Sequence, residues 1–406
     1  MTGSPHTGIM IAQTFDPVAA TAAYLAQMPP AVHIKATAYT QGSHWLLLWG
    51  VLVTIVVAAI IIRTGILGRI ERRLETSRSR PVLVPLALTA VYLGIDWLLS
   101  LPWSAYARWW RQKQYGLTSQ AFSGWITESA ISIVILAVFG GLFFAALYAL
   151  IRRSPRHWWL WSGALTAVFL LFGTLIAPLY IEPLFNNYAP APPGPVRDAV
   201  VEMARANGVP SDKIFIYNGS KQSNAYTANV SGLAGTARVA MSDVMFQKDA
   251  DLAEVRGVVG HEMGHCVRHH ALWGALALAL LATVVFLLVA RYFDATARLL
   301  GAHDVKGIAD PAGLPVLFVL INVIGLAATP ITNTISRITE ADADRFSLEH
   351  VHEPDGLSKA LIKTMEYRAA TPGRLEEIIF YDHPSVSSRV RRGMEWKAAH
   401  LNELAR

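Results

Sequence analysis

Apolar residues run along this chain in long uncharged blocks separated by short basic segments, and the lengths of those blocks set the architecture. Trp45 to Ile62 is eighteen residues without a charge, enough for a helix to cross the hydrocarbon core of a bilayer. Further blocks of spanning length run from about Val82 to Leu101, Trp125 to Ile151, Trp158 to Ile181 and Ala271 to Ala290. A sixth lies within Leu314 to Ile335, where Pro330 is expected to break the helix. Six arginines from Arg63 to Arg80, and the group Arg152, Arg153 and Arg156, punctuate the blocks as membrane anchors, with Trp158, Trp159 and Trp161 as an interfacial belt. Pro102 to Ser123 reads as a polar, aromatic loop. Asp96 and Glu128 fall within blocks, and carboxylates at that depth face other helices or a wet cavity, as functional groups or as partnered structural ones.

Between and beyond the blocks the pattern changes. The amino terminus lacks the basic flank, apolar core and small-residue cleavage site of a signal peptide, and Thr14 to Pro30 is expected to form an amphipathic helix at the membrane surface. Residues 189–195, Ala-Pro-Ala-Pro-Pro-Gly-Pro, read as a stiff linker into a water-soluble segment. There, Val196 to Asn207 has helical spacing with Gly208 as its cap, and Ile214 to Tyr217 and Thr236 to Met241 read as short strands. A helix beginning near Asp249 or Asp251, with Glu254 as a capping-box partner, is expected to run on into the fifth block. The division is therefore 1–44, an amino-terminal segment; 45–182, four transmembrane helices; 183–270, a soluble segment with a small sheet; 271–335, two more transmembrane helices; and 336–406, amphipathic helices with loops.

Composition agrees with the blocks. Hydrophobic residues make up 53% of the 406 and charged residues only 16%, which places the chain among multi-pass membrane proteins. The net charge of +6 is small for this length, and the arginines are spent as anchors, so nucleic-acid binding is not indicated. A single cysteine, Cys266, excludes an intrachain disulfide and is expected to be a small buried hydrophobe.

The chemistry lies in His261-Glu262-Met263-Gly264-His265. Residues four apart share a helix face, so His261 and His265 can offer two imidazoles to one tetrahedral metal, while Glu262 can reach a water in an open coordination position as general base. A catalytic zinc needs a third protein ligand. Glu340 is the candidate, with Asp344 one turn later to accept a hydrogen bond from a ligand histidine. Two blocks separate His265 from Glu340, so the chain returns to the same side of the membrane between them.

These residues, with Leu101-Pro102-Trp103-Ser104, Pro183-Leu184-Phe185-Asn186, Ser223-Asn224-Ala225-Tyr226, Phe346, His383-Pro384 and Arg389, resemble the type I CAAX prenyl endopeptidases, integral-membrane zinc metalloproteases of the gluzincin type. The resemblance covers most of the chain. It implies a mostly α fold of about six spans around a large water-filled intramembrane chamber, closed at one end by a zincin-type metalloprotease domain with a small β-sheet. By the same resemblance, one Zn2+ per chain is held by His261, His265 and Glu340, with Glu262 as catalytic base. Asn224 and Ala225 match the edge segment that pairs with substrate backbone, His383 a histidine that holds the substrate carbonyl or its oxyanion, and Arg389 a support for that site. Asp96 and Glu128 become chamber residues.

The chain also departs from eukaryotic members. They have seven spans against six counted here, and no long charged insertion separates the strands from the metal helix. An arginine-rich, alanine-rich chain of this kind looks bacterial and is expected in the cytoplasmic membrane, where cleavage of a prenylated CAAX peptide is a capability rather than the natural task. Expected partners are therefore the lipid bilayer and a peptide or protein substrate, prenylated or membrane-inserted. The short-loop arginines put the catalytic segment outside by the positive-inside rule, whereas the resemblance puts it in the cytoplasm and is given the greater weight. The alternatives are a heat-shock-type quality-control metalloprotease and a non-enzymatic membrane scaffold or channel.

Overall fold

The computed structural model describes residues 15–223, 226–232, 236–247, 250–363 and 368–404. After α1 (Pro17–Leu25), the chain enters α2 (Pro30–Thr64), the short amphipathic α3 (Ile66–Leu74) and α4 (Leu83–Ser104), which continues through a π-helical turn, Ala105–Trp110, into α5 (Arg111–Gln114). Next come α6 (Phe122–Arg153) and α7 (Trp158–Ile176). These are longer than the apolar blocks alone indicated: α2 begins fifteen residues before Trp45, and Pro102 sits inside helix rather than opening a loop. The π turn beyond it accommodates the irregularity that a proline introduces.

The soluble segment holds β1 (Tyr188–Pro190), α8 (Pro195–Ala206), β2 (Ile214–Tyr217), β3 (Ala228–Ser231) and β4 (Arg238–Ser242). They form one sheet in the order β1-β2-β4-β3, with β2 parallel to β4 and the outer pairs antiparallel. The first part of the expected linker is thus strand β1, its terminal Pro190 tolerated because β1 is an edge. The remaining elements are α9 (Leu252–Val267), α10 (His270–Leu299), α11 (Leu314–Val351), α12 (Pro354–Lys363), α13 (Arg374–Phe380), α14 (Val386–Ala399) and α15 (Leu401–Leu404).

Two further expectations change. The metal-motif helix does not run on into the fifth span: it ends at Val267, and His269 at φ 56° separates α9 from α10. Conversely, α11 is not broken at Pro330 and continues for 38 residues. Hydroxyls of Thr329, Thr332 and Thr334 bond nearby carbonyls of that helix, and Asn333 Nδ2 donates to Ile379 O at 2.8 Å, tying the helix to α13 just beyond the proline.

Among the described residues six helices are long and apolar enough to cross a membrane, and their neighbours close a ring: α2 packs on α4, α4 on α6, α6 on α7, α7 on α10, α10 on α11 and α11 on α2. The shared core, including Ile61, Leu88, Tyr148, Trp158, Phe293 and Leu317, lies at the end of the ring away from the metal motif. Toward the motif the helices part: no residue of α4 beyond Leu93, of α6 before Gly141 or of α7 beyond Gly163 is buried. A solid bundle would bury one stripe of each helix along its length, so the ring is filled at one end and unfilled at the other. Glu128, near the unfilled end, lies 3.1 Å from Lys221 Nζ and from Gln222 Nε2, tying α6 to the loop before β3.

The first helix is docked on the carboxy-terminal helices. Phe15, Tyr24, Leu25 and Met28 pack against a core containing Leu357, Val390 and Met394, and the Tyr24 hydroxyl donates to Asp355 Oδ1 at 2.7 Å. Its apolar face has a protein partner. On the other side of that core, α9 and α12 approach closely through glycines. A Cβ on Gly356 would stand 2.2 Å from Ala253 O, and one on Gly257 2.7 Å from Leu357 N, both fixed backbone atoms. Gly356→Ala is therefore expected to lower stability by about 1–3 kcal/mol, read as a reduced midpoint of thermal unfolding in detergent.

Candidate metal centre

Helix α9 starts where the Asp251 side chain accepts a hydrogen bond from Ala253 N at 2.9 Å. Glu254 does not close a capping box; it is buried and ion-paired with Lys363 on α12. Along α9, Gly257, Gly260 and Gly264 lie on the side facing α11 and α12. A Cβ at Gly260 would meet Val351 Cγ2 at 2.5 Å, and one at Gly264 would meet Ala343 Cα at 3.1 Å. Small residues let the two backbones close up, which brings His261 and His265 from α9 against Glu340 and Asp344 from α11.

The donor atoms of the three residues lie in a tight cluster, Glu340 turning a different oxygen to each histidine. His261 Nε2 is 3.2 Å from His265 Nε2 and 3.2 Å from Glu340 Oε2, and His265 Nε2 is 3.4 Å from Glu340 Oε1. Zinc bonds of about 2.0–2.2 Å in tetrahedral geometry put donor atoms about 3.3–3.5 Å apart, so the set fits that ion. Glu340 Oε2 supplies a second observation. It is buried without a hydrogen-bond partner, although His261 Nε2 and His383 Nε2 lie 3.2 and 3.3 Å away. Ring nitrogens and carboxylate oxygens converge on one point, as ligands of a shared cation do.

On its outer side His261 Nδ1 donates to Asp344 Oδ1 at 2.9 Å, fixing the tautomer that leaves Nε2 facing the cluster. Asp344 is clamped in turn by Arg389, whose Nε reaches Oδ2 at 2.8 Å and whose Nη2 reaches Oδ1 at 2.6 Å. Arg389, which lines the same cavity as Glu262 and His383, thus also reaches the centre through Asp344 and His261. Burial lowers the pKa of His261, but its bonds to Asp344 and Glu340 outweigh burial and push it up to about 9.

Glu262 lines a 200 Å³ cavity with Tyr226, His261, Glu340, His383 and Arg389. Burial raises its pKa, partly offset by the adjacent His261 and His265. His383, beyond the carboxy end of α13, lies beside the cluster. Its Nδ1 bonds Asp382 Oδ1 at 3.0 Å, which turns Nε2 toward Glu340. Burial pushes Asp382 up, but the bond from His383 and the charge of Arg368 outweigh it and hold that carboxyl below its ordinary value. Asn224 and Ala225 lie outside the described residues. Asp96, on α4, is away from the cluster, and Cys266 is half-buried and lines a separate cavity beside His265.

Sequence reasoning missed Asp382, although it adjoins His383, and missed His270 and Asp342, which contact each other beside His265. It also missed Arg392, 3.7 Å from Asp344 Oδ2.

A metal entering this cluster displaces the proton that the metal-free protein holds on His261. A raised pKa keeps that proton bound until the pH passes about 9, so zinc affinity is expected to weaken as pH falls below that value, by up to about tenfold per unit for one proton. Competition titrations against a chelator at roughly pH 7 and pH 8 check this; equal affinities at both would contradict it.

Comparison with known proteins agrees with the geometry. Residues 190–397 match the family model "Peptidase family M48", and residues 16–187 match "CAAX prenyl protease N-terminal, five membrane helices". Four helices of spanning length fall within the second match. The Bacillus subtilis metalloprotease YhfN is 28% identical over 90% of this chain and 86% of its own length. The Arabidopsis thaliana CAAX prenyl protease 1 homolog is 24% identical over 88% of this chain and 86% of its own length. A crystal structure of S. mikatae Ste24p shares the fold at a TM-score of 0.71 and 20% identity, covering 93% of this chain and 96% of that one. Neither the quality-control protease nor the non-enzymatic scaffold is favoured by these matches. The chain belongs to peptidase family M48 and is a multi-pass membrane metalloprotease, a hydrolase of peptide bonds whose family implies a metal, typically zinc.

Proposed function

We propose that His261, His265 and Glu340 hold one zinc ion per chain and that the site hydrolyses a peptide bond of a membrane-associated substrate, including prenylated CAAX peptides. The observation that carries this reading is the donor cluster with 3.2–3.4 Å separations and Glu262 in the same cavity. When bound, zinc supplies Lewis acidity that makes water nucleophilic near neutral pH. Glu262 takes the proton from the attacking water and passes it to the leaving amine. Asp344 and Arg389 hold His261 in register, and His383, in its doubly protonated form with Nδ1–H on Asp382, donates from Nε2 to the oxyanion.

The surroundings support an apolar substrate. Val258, Leu357, Ala360 and Leu361 wall the cavity, and the unfilled end of the helix ring gives a lipid-like chain somewhere to lie. Strand β3 is a sheet edge that can take a substrate backbone by strand addition, with Asn224 and Ala225 just before it. Two CAAX prenyl protease 1 homologues among the relatives, from Arabidopsis and Oryza sativa, are 24% and 25% identical, which supports prenyl-peptide cleavage as a capability of this site.

His383→Ala is expected to lower kcat by about 10²–10³ with little change in KM; an unaltered kcat would remove it from the chemistry. Rates on a farnesylated CAAX peptide and on an unprenylated unfolded protein test the substrate class. Faster cleavage of the farnesylated peptide supports the proposal, and cleavage of the unfolded protein alone overturns it. We place the site on the cytoplasmic side of a bacterial inner membrane. In Cys266→Ser protein, a cysteine at position 78, in the arginine-rich loop at the far end of the ring, should then react with an impermeant thiol reagent applied to intact cells.

A further inference from the structure

Ligand histidines in metal sites are held from behind, because the ring nitrogen that does not bind metal needs a partner to fix tautomer and orientation. Asp344 does this for His261. Among the described residues no carboxylate lies against the Nδ1 of His265. In that place is His270, whose Nδ1 lies 3.0 Å from His265 Nδ1, while His270 Nε2 lies 3.2 Å from Asp342 Oδ2. The His270 side chain is 10% exposed and that of Asp342 34%. The rings of His265 and His270 meet edge to face, 5.0 Å apart at 77°.

The contact is produced by a break in the backbone. On a continuous helix a residue five positions on lies about 140° round the axis, and His270 would point away from His265. His269 adopts a left-handed conformation, φ 56° and ψ 36°, between α9 and α10, and this folds His270 back over His265. A side chain larger than glycine costs about 1 kcal/mol or more in that conformation, so the surrounding structure sustains the break against a local preference.

We propose that His270 and Asp342 form a relay that positions His265 for metal: His265 Nδ1–H donates to His270 Nδ1, and His270 Nε2–H donates to Asp342. Both metal-binding histidines are then backed by a carboxylate, His261 directly and His265 through one intervening imidazole. His270 is a positioning residue and touches no substrate. The chain of donors has one consistent direction, since the Nε2 of His265 faces His261 and Glu340 and only its Nδ1 is free to donate outward. The inference rests on the metal reading proposed above.

The test is zinc affinity, measured by chelator competition on full-length protein in detergent, for wild type, His270→Leu, His270→Gln, Asp342→Ala and the His270→Leu/Asp342→Ala double variant. His270→Leu is expected to weaken zinc about 10–100-fold. His270→Gln, whose amide can accept from His265 and donate to Asp342, should recover most of that loss. Asp342→Ala should weaken zinc in the wild-type background and add nothing to His270→Leu, because Asp342 acts only through His270. That pattern separates a relay from a packing role, which the glutamine would not rescue. Should His270→Leu fail to fold, the glutamine and Asp342→Ala variants decide the matter: wild-type affinity in Asp342→Ala overturns the relay. Zinc bound by wild type and equally by every variant also overturns it while leaving the metal centre intact. No zinc in wild type overturns both.

Discussion

Glu262→Gln protein is expected to bind zinc as wild type does and to lose about 10²–10⁴ in turnover, the range over which a positioned general base contributes. The residue sits among His261, Glu340 and His383 but is not part of the donor cluster, so an uncharged isostere leaves the metal site intact. It removes the acceptor for the water's proton. In the metal-free protein burial raises the pKa of Glu262, and a bound zinc acts on it in the opposite direction. A Glu262→Gln enzyme with full activity would refute the assignment.

Arg389→Leu is expected to have the largest effect on stability. The guanidinium makes two bonds of 2.6 and 2.8 Å to Asp344, which is buried, and its own side chain is 12% exposed. Removing one partner of such a pair leaves a buried charge uncompensated and costs about 3–5 kcal/mol. Arg392, at 3.7 Å from Asp344, is too far to replace the fork. Because Asp344 also holds His261, zinc affinity should fall about 10–100-fold in the same variant. Thermal unfolding and zinc competition measured on one preparation check both effects. A protein as stable as wild type would show that the fork is incidental.

The elements of the site that were legible in the sequence are those set by local spacing. His261 and His265 are four apart on one helix, Glu340 and Asp344 are four apart on another, and the two intervening spans fix the side on which they meet. The spans were legible for a similar reason, since an uncharged run of eighteen residues has few alternative structures. What could not be read depends on backbone conformation or on distant partners. His269 carries no glycine or proline signal, so the break between α9 and α10, and with it the contact of His270 with His265, was invisible. Pro330 carries a strong signal that tertiary contacts override. In the sheet, Pro190 made β1 read as linker, and Ala-Asn-Val-Ser is too short and mixed to announce β3. Arg389 was found by resemblance, but its partner was not, because the ion pair spans forty-five residues. The docking of α1 rests on a carboxylate at Asp355, which no local pattern connects to Tyr24.

The most direct test of the metal centre is to remove and restore the metal. Protein purified without chelator should carry one zinc per chain and cleave whichever substrate, prenylated peptide or unfolded protein, the rate comparison identifies. Chelation should abolish cleavage, and added zinc should restore it. Hydrolysis that continues unchanged in protein stripped of metal would contradict a mechanism built on His261, His265 and Glu340.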